Sequence, residues 1–204
     1  PQERRRFLDT LLCQADHVYL DNLLTYRKVL RERHFVLLRL GQGLGSPDEL
    51  DFWDHELVRS GTYIMEKRAD LVQKLNQSLV TVYPQFLVDR HQSVEIRYEP
   101  TVEPTQLAQK LSSSRGWDTK SGSTRYGPHR DELRFILDDR DITLFASRGE
   151  VRSVILATKL AEANYLAVQS PNVPILLLDD VFSELDASRR KLLLELIAPF
   201  RSII

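Results

Sequence analysis

A chain of 204 residues, 42% hydrophobic and 28% charged, has the composition of an ordinary globular protein with one or two domains. Its lone Cys13 rules out an internal disulfide, and no apolar run approaches the roughly eighteen residues of a membrane span. A net charge of −1 provides no global basic field, so a nucleic-acid partner would need a local patch, and the charged start Gln2-Glu3-Arg4-Arg5-Arg6 is unlike a signal peptide.

In chain order, Leu8, Leu11, Leu12 and Ala15 form one helical stripe. Tyr19, Leu23, Tyr26, Leu30 and Leu37 form a second, at spacings of four, three, four and seven. Cys13 lies among apolar neighbours and is expected to be a buried thiol in a reducing compartment. After the break at Gly41–Pro47, Ser46-Pro47-Asp48-Glu49 opens a helix with Ser46 as N-cap, and Leu57, Ile64, Leu71, Leu75 and Leu79 carry its apolar face. Two long antiparallel helices joined by a Gly-rich turn are the simplest arrangement. Val94–Tyr98 alternates like a half-buried strand, Thr105–Ser114 reads as a short helix, and polar Ser112–Gly122 as a boundary or mobile loop. Leu133–Leu137 and Ile142–Phe145 flank an acidic turn, which predicts a hairpin. Glu150–Gln169 is helical and largely buried, and Ile175–Leu178 is a strand of the covered, parallel kind. Ala187–Ala198 is a helix stopped by Pro199, and Arg201–Ile204 begins another strand. The fold class is therefore α/β plus an α-helical arm.

Three motifs carry chemistry. Ile175–Leu178 delivers Asp179 and Asp180 to the carboxyl end of a strand, where ligands bind in open α/β sheets. In a Walker B strand the first acid holds Mg²⁺ through water and the second positions or deprotonates an attacking water; the plain alternative is a core strand ending in a solvated turn. Ser183-Glu184-Leu185-Asp186 follows, and Asp186 is either a helix N-cap or part of the same site. Ser147-Arg148-Gly149-Glu150 opens a long helix with a hydroxyl, a glycine and free amides, an anion site. The alternative is a Ser/Glu capping box and no more.

The order and spacing resemble the ATP-binding-cassette ATPases. Gly149 precedes Asp179 by thirty residues, as that signature precedes Walker B, and Asp186 follows Asp179 by seven, as the D-loop does. Tyr126-Gly127-Pro128-His129-Arg130-Asp131, with Arg5-Arg6-Phe7-Leu8-Asp9 and Tyr26–His34, narrows the match across essentially the whole chain. The sequence resembles the RecF family of bacterial recombination-repair proteins. This resemblance implies the C-terminal portion of an ABC-type P-loop ATPase lobe with an inserted helical second lobe: residues 1–16 lead into the arm, 17–122 form it and 123–204 return to the lobe. It implies a cytoplasmic, compact relative of the SMC-type ATPases that dimerises on ATP, binds DNA at gaps and single-strand/double-strand junctions, and works with RecR and RecO to load RecA. By the same resemblance Asp179 holds Mg²⁺, Asp180 is the hydrolytic acid, Ser147, Arg148, Gly149 and Glu150 meet the nucleotide across the dimer, and Asp186 couples the two sites. A DNA surface would draw on Arg4, Arg5, Arg6, Arg27, Lys28, Arg31, Arg33, His129 and Arg130, with Arg39 on the same helix. An ordinary charged helix face balanced by Asp21 and Glu32 is the alternative.

The sequence departs from the family pattern in places. It contains no G-x-x-x-x-G-K-[ST], which the family carries near its N-terminus, nor the His/Thr switch beyond the last strand. The expectation is that Pro1 lies inside a longer parent and that this chain alone hydrolyses no ATP. Glu150 replaces the signature glutamine, putting a carboxylate beside a triphosphate. His34, where the family often has Asn, is expected on the helix surface. The rival function is a non-hydrolysing dimerisation or regulatory module acting in trans; a transporter nucleotide domain lacks both the long helical insertion and the GPHRD run.

Overall fold

The computed structural model describes residues 2–87, 92–169, 173–177 and 187–203, without the side chains of 187–189 and 201–203. They divide into two compact units, Pro1–Leu71 with Tyr98–Leu133, and Val72–Arg97 with Arg134–Ile204.

The first unit is helical. α1 (Gln2–Ala15) stops because Asp16 takes an extended conformation and caps α2 (His17–Gly41), its Oδ1 accepting from the amides of Val18 at 2.8 Å and Tyr19 at 3.1 Å. α3 (Glu49–Val82) returns antiparallel to α2: Arg39 bonds Glu49, Arg33 bonds Asp54, Arg68 bonds the Tyr19 hydroxyl and Tyr63 bonds Asp16. At its start the Ser46 amide donates to the Glu49 carboxylate at 3.0 Å, as in one half of a capping box, and the Asp48 amide donates to the Ser46 hydroxyl at 3.4 Å. Leu8, Tyr19, Leu37, Leu57 and Ile64 are fully buried between these helices, each contributing on the order of 1.5–3 kcal/mol. Cys13 is half-buried rather than buried, because the last turn of α1 lies at the edge of this packing.

The segment expected as a polar loop is instead helix. After a 3₁₀ turn at Pro104–Gln106, α4 runs Leu107–Ser121 and ends at Gly122, whose φ of 64° is a left-handed cap. Its polar residues are not loop-formers, because Ser114 and Asp118 sit one turn apart on the buried face and bond each other. His34 lies on the surface as expected, its Nδ1 2.6 Å from the Gly122 carbonyl.

In the second unit, the end of α3 leads into a 3₁₀ turn at Tyr83–Phe86, on which α6 (Arg148–Gln169) and α7 (Ala187–Ile197) pack. β1 (Val94–Glu99), β2 (Glu132–Leu137) and β3 (Arg140–Asp141) form a sheet in that order. Asn76 pairs with both backbone groups of Ile96, at 2.8 Å each, as a neighbouring strand would. The β2–β3 hairpin closes at Asp138-Asp139, both at positive φ, which matches strand twist in a two-residue turn. Its second strand is only two residues long; Ile142–Phe145, expected as strand, is a short helix, α5, because Asp141 caps it through the Thr143 amide at 2.9 Å. β4 (Ile175–Leu177) pairs in parallel with β5 (Arg201–Ile203). The expected covering is not seen among the described residues: Ile175 and Leu177 are 62% and 75% exposed, and α6 and α7 pack on Tyr83–Phe86. No helix among the described residues is long and apolar enough to cross a membrane.

Candidate functional site

In the second unit the residues expected to meet an anion, Ser147–Glu150, stand at the start of α6. Ser147 donates from both its amide, at 2.8 Å, and its hydroxyl, at 2.7 Å, to one carboxylate oxygen of Glu150. The Glu150 amide returns a bond to the Ser147 hydroxyl at 3.3 Å, completing a capping box. Gln92 holds the other Glu150 oxygen at 3.0 Å. Two donors already converge on one anionic oxygen at the positive end of a 22-residue helix, so the donor set fits a phosphate oxygen in the place of that carboxylate. Ser147, Arg148 and Gly149 are exposed, and a side chain on Gly149 would meet nothing within 4 Å. Asp179, Asp180 and Asp186 lie outside the described residues, and no group of three or more potential metal ligands occurs among the described ones.

In the first unit, the Gly127–Asp131 run is a tight turn, closed by the Arg130 amide on the Gly127 carbonyl at 2.9 Å. Gly127 has φ 127°, and a Cβ there would stand 2.5 Å from the Tyr26 hydroxyl. Pro128 gives its carbonyl to Arg68 at 2.7 Å. His129 bridges the Tyr26 hydroxyl, 2.7 Å from Nδ1, and the Thr124 carbonyl, 3.1 Å from Nε2. Burial pulls its imidazole down to about 4, against the Thr124 bond and aided by nearby Arg130 and Arg5, so it is neutral at pH 7. Asp131 accepts from the Tyr98 hydroxyl and the Thr101 amide and hydroxyl; burial still pushes its carboxyl up.

Beside this turn lies a cleft of about 640 Å³, walled by Arg5, Arg6, Arg27, Arg68, Tyr26 and His129 with apolar Leu23, Leu30 and Ile64. The fold thus brings together four of the residues expected to contact DNA. The others go elsewhere: Arg4 pairs with Glu132 at 3.7 Å, Arg31 with Glu32 at 3.6 Å, Arg130 reaches the Thr124 carbonyl at 3.3 Å, and Lys28 is exposed on α2. Arg39 pairs with Glu49 at 2.5 Å.

Arg33 has to be removed from that surface. It is 0% exposed and bonds Asp54 at 2.6 Å, Asp118 at 2.8 Å and Thr124 at 2.8 Å. Residues that sequence reasoning missed belong to the same kind of network: Arg68 grips Asp9 at 2.8 and 3.2 Å, and the Tyr19 hydroxyl donates to Asp9 at 2.6 Å. The signal was available. The spacing of seven between Leu30 and Leu37 leaves Arg33 on the core stripe, and Arg68 lies between Ile64 and Leu71 on another.

Comparison with known proteins agrees with this architecture. No protein-family model matches the chain. Proteins named DNA replication and repair protein RecF are 36% identical over 100% of the chain in Lachnoclostridium phytofermentans and 38% over 97% in Moorella thermoacetica. The chain spans about half the length of these relatives, 56% and 53%. A solved structure described as the recombination mediator protein RecF-ATP in the RecFOR pathway superimposes with a TM-score of 0.90 at 30% identity, over 100% of this chain and 57% of that one.

Proposed function

The chain belongs to the RecF family along its whole length, and from that premise we propose that it supplies the trans half of an ATP-gated DNA clamp used in replication and recombination repair. The observation that carries this reading is the pair of Ser147 donors meeting one anionic oxygen at the head of α6. On association of two subunits, Ser147 and Gly149 take an oxygen of the terminal phosphate bound by the opposite subunit, and Glu150 gives up its place to it. Arg148 adds a positive charge beside that oxygen. By the family resemblance Asp179 would hold Mg²⁺ through water and Asp180 would orient the hydrolytic water, with Asp186 linking the two sites. Bound Mg²⁺ and ATP supply charge neutralisation and the group transferred; the chain's own residues orient and exclude water. The clamp grips DNA at gaps and single-strand/double-strand junctions in the cytoplasm and, with RecO and RecR, helps load RecA. The solved relative's description names RecF-ATP and the RecFOR pathway, which supports the nucleotide and the RecO and RecR partners.

The test is the mass of the intact protein in solution with and without ATP. Dimers that form on ATP and vanish in Ser147→Arg support the trans role; dimers that persist in that variant refute it. In Asp180→Asn, ATP-dependent dimers should survive while turnover stops. Turnover at the parental rate would remove Asp180 from its role.

A further inference from the structure

We propose that the cleft between α1, α2 and the Gly127–Asp131 turn is a phosphate seat for one nucleotide unit of a DNA strand, gripped by Arg5, Arg6 and Arg27. This inference rests on the DNA-binding part of the function proposed above and assigns it a place. The cleft holds four arginines against two carboxylates, Glu3 and Asp9. Asp9 is mostly spent elsewhere: Arg68, at 2.8 and 3.2 Å, and Tyr19, at 2.6 Å, all take its Oδ1, and Arg27 reaches only Oδ2, at 3.5 Å. Arg27 is 60% exposed, and this long contact with Asp9 leaves the rest of its guanidinium open to solvent.

Arg5 is fixed differently. Its guanidinium donates to the backbone carbonyl of Asp131 at 2.7 Å, which sets its direction without cancelling its charge. Arg6 is exposed and has no hydrogen-bond or ion-pair partner among the described residues. Planar guanidinium forks suit phosphate oxygens. A volume of about 640 Å³ admits a nucleotide-sized group, and half-buried Leu30, backed by the buried Leu23 and Ile64, gives an apolar wall for its sugar or base. An acidic peptide would use the charge but leave that wall idle. The neutral His129 adds no field of its own and closes the floor through Tyr26.

The measurement is the salt dependence of binding of a fluorescein-labelled gapped DNA by the intact protein, read by anisotropy. In the Arg6→Ala/Arg27→Ala variant, affinity should fall regardless of DNA sequence, and the log–log salt slope should become shallower by about 1 per arginine. A control pair of exposed basic residues outside the cleft, Arg59→Ala/Lys120→Ala, should leave the slope unchanged. Equal slopes in wild type and the cleft variant would overturn the seat. Loss of the same size in the control pair would do so too, by showing a diffuse field. If the cleft variant loses only micromolar binding of inorganic pyrophosphate while DNA binding is unchanged, the site takes a small phosphate and not a strand. Absence of DNA binding in the wild-type protein would instead sink the clamp reading itself, a result separable from the others.

Discussion

Arg33 and Ser147 are both polar residues at motif-like positions, and the molecule treats them in opposite ways. In the first unit, Arg33, Asp54, Asp118 and Thr124 are buried and bonded to one another, and Arg68, Asp9 and Tyr19 repeat the pattern. In the second unit, Ser147, Arg148 and Gly149 are exposed, and their anionic partner Glu150 reaches back from the first turn of the same helix. A buried charge cannot exchange its partner without a large desolvation cost, whereas an exposed donor pair can exchange a carboxylate for a phosphate at little cost. Charge in a motif therefore marks function only where the partner can be replaced.

The sharpest way to break this contrast is to remove one buried partner. Arg33→Met should destabilise the protein by about 3–5 kcal/mol, because Asp118 is left buried without its counter-charge, while Asp54 keeps only Arg115. Denaturant unfolding reads the loss, and adding Asp118→Leu should restore part of it. A cost below about 1 kcal/mol would mean that the pair is solvated. Proton uptake at His129 comes next. Its pKa lies at about 4 in the fold and near 6.5 when unfolded, so the unfolded chain binds the extra proton between those values. Its contribution is fully present above about pH 6.5 and is lost as pH falls toward 4, by about 3 kcal/mol in all. Asp131, whose pKa burial raises, acts with the opposite sign, so the difference between wild type and His129→Asn isolates the imidazole. Parallel pH profiles would show that protons already reach it. Gly127→Ala should cost about 1–3 kcal/mol, from a φ of 127° and a methyl against the Tyr26 hydroxyl. Unchanged stability would show that Tyr26 can retreat.

Much of this was legible from the chain. The stripes of α2 and α3, the Ser46 start, the strand at Val94 and the helix after Ser147 all follow from apolar spacing and capping residues. What failed did so where a polar side chain had a partner that apolar spacing does not reveal. Ser112–Gly122 reads as loop until Asp118 finds Arg33, eighty-five positions away in sequence. Ile142–Phe145 reads as strand until Asp141 caps it, because a four-residue apolar run has no period of its own. Arg33 itself was placed on the DNA surface because composition cannot show which way a helical arginine faces; only its register between Leu30 and Leu37 does. The cleft was half legible, since Arg5, Arg6 and Arg27 were singled out but their convergence needed the turn at Pro128 and the partner of Asp9.

The smallest expected effect tests the exposed side of the contrast. Ser147→Ala removes the cap of α6 and should cost about 0.5–2 kcal/mol, no more than other N-caps. Glu150→Gln keeps a side chain that can still complete the box, so stability should move by only a few tenths of a kcal/mol. Its effect on ligand should run the other way. With the carboxylate neutralised, no negative charge competes for the Ser147 hydroxyl and amide, and ATP-driven association of the intact protein should tighten severalfold. Sedimentation at a series of ATP concentrations reads this directly. Association that weakens in Glu150→Gln would mean that the carboxylate helps to build the seat rather than occupying it, and Ser147 would then rank with Arg33 as a structural residue.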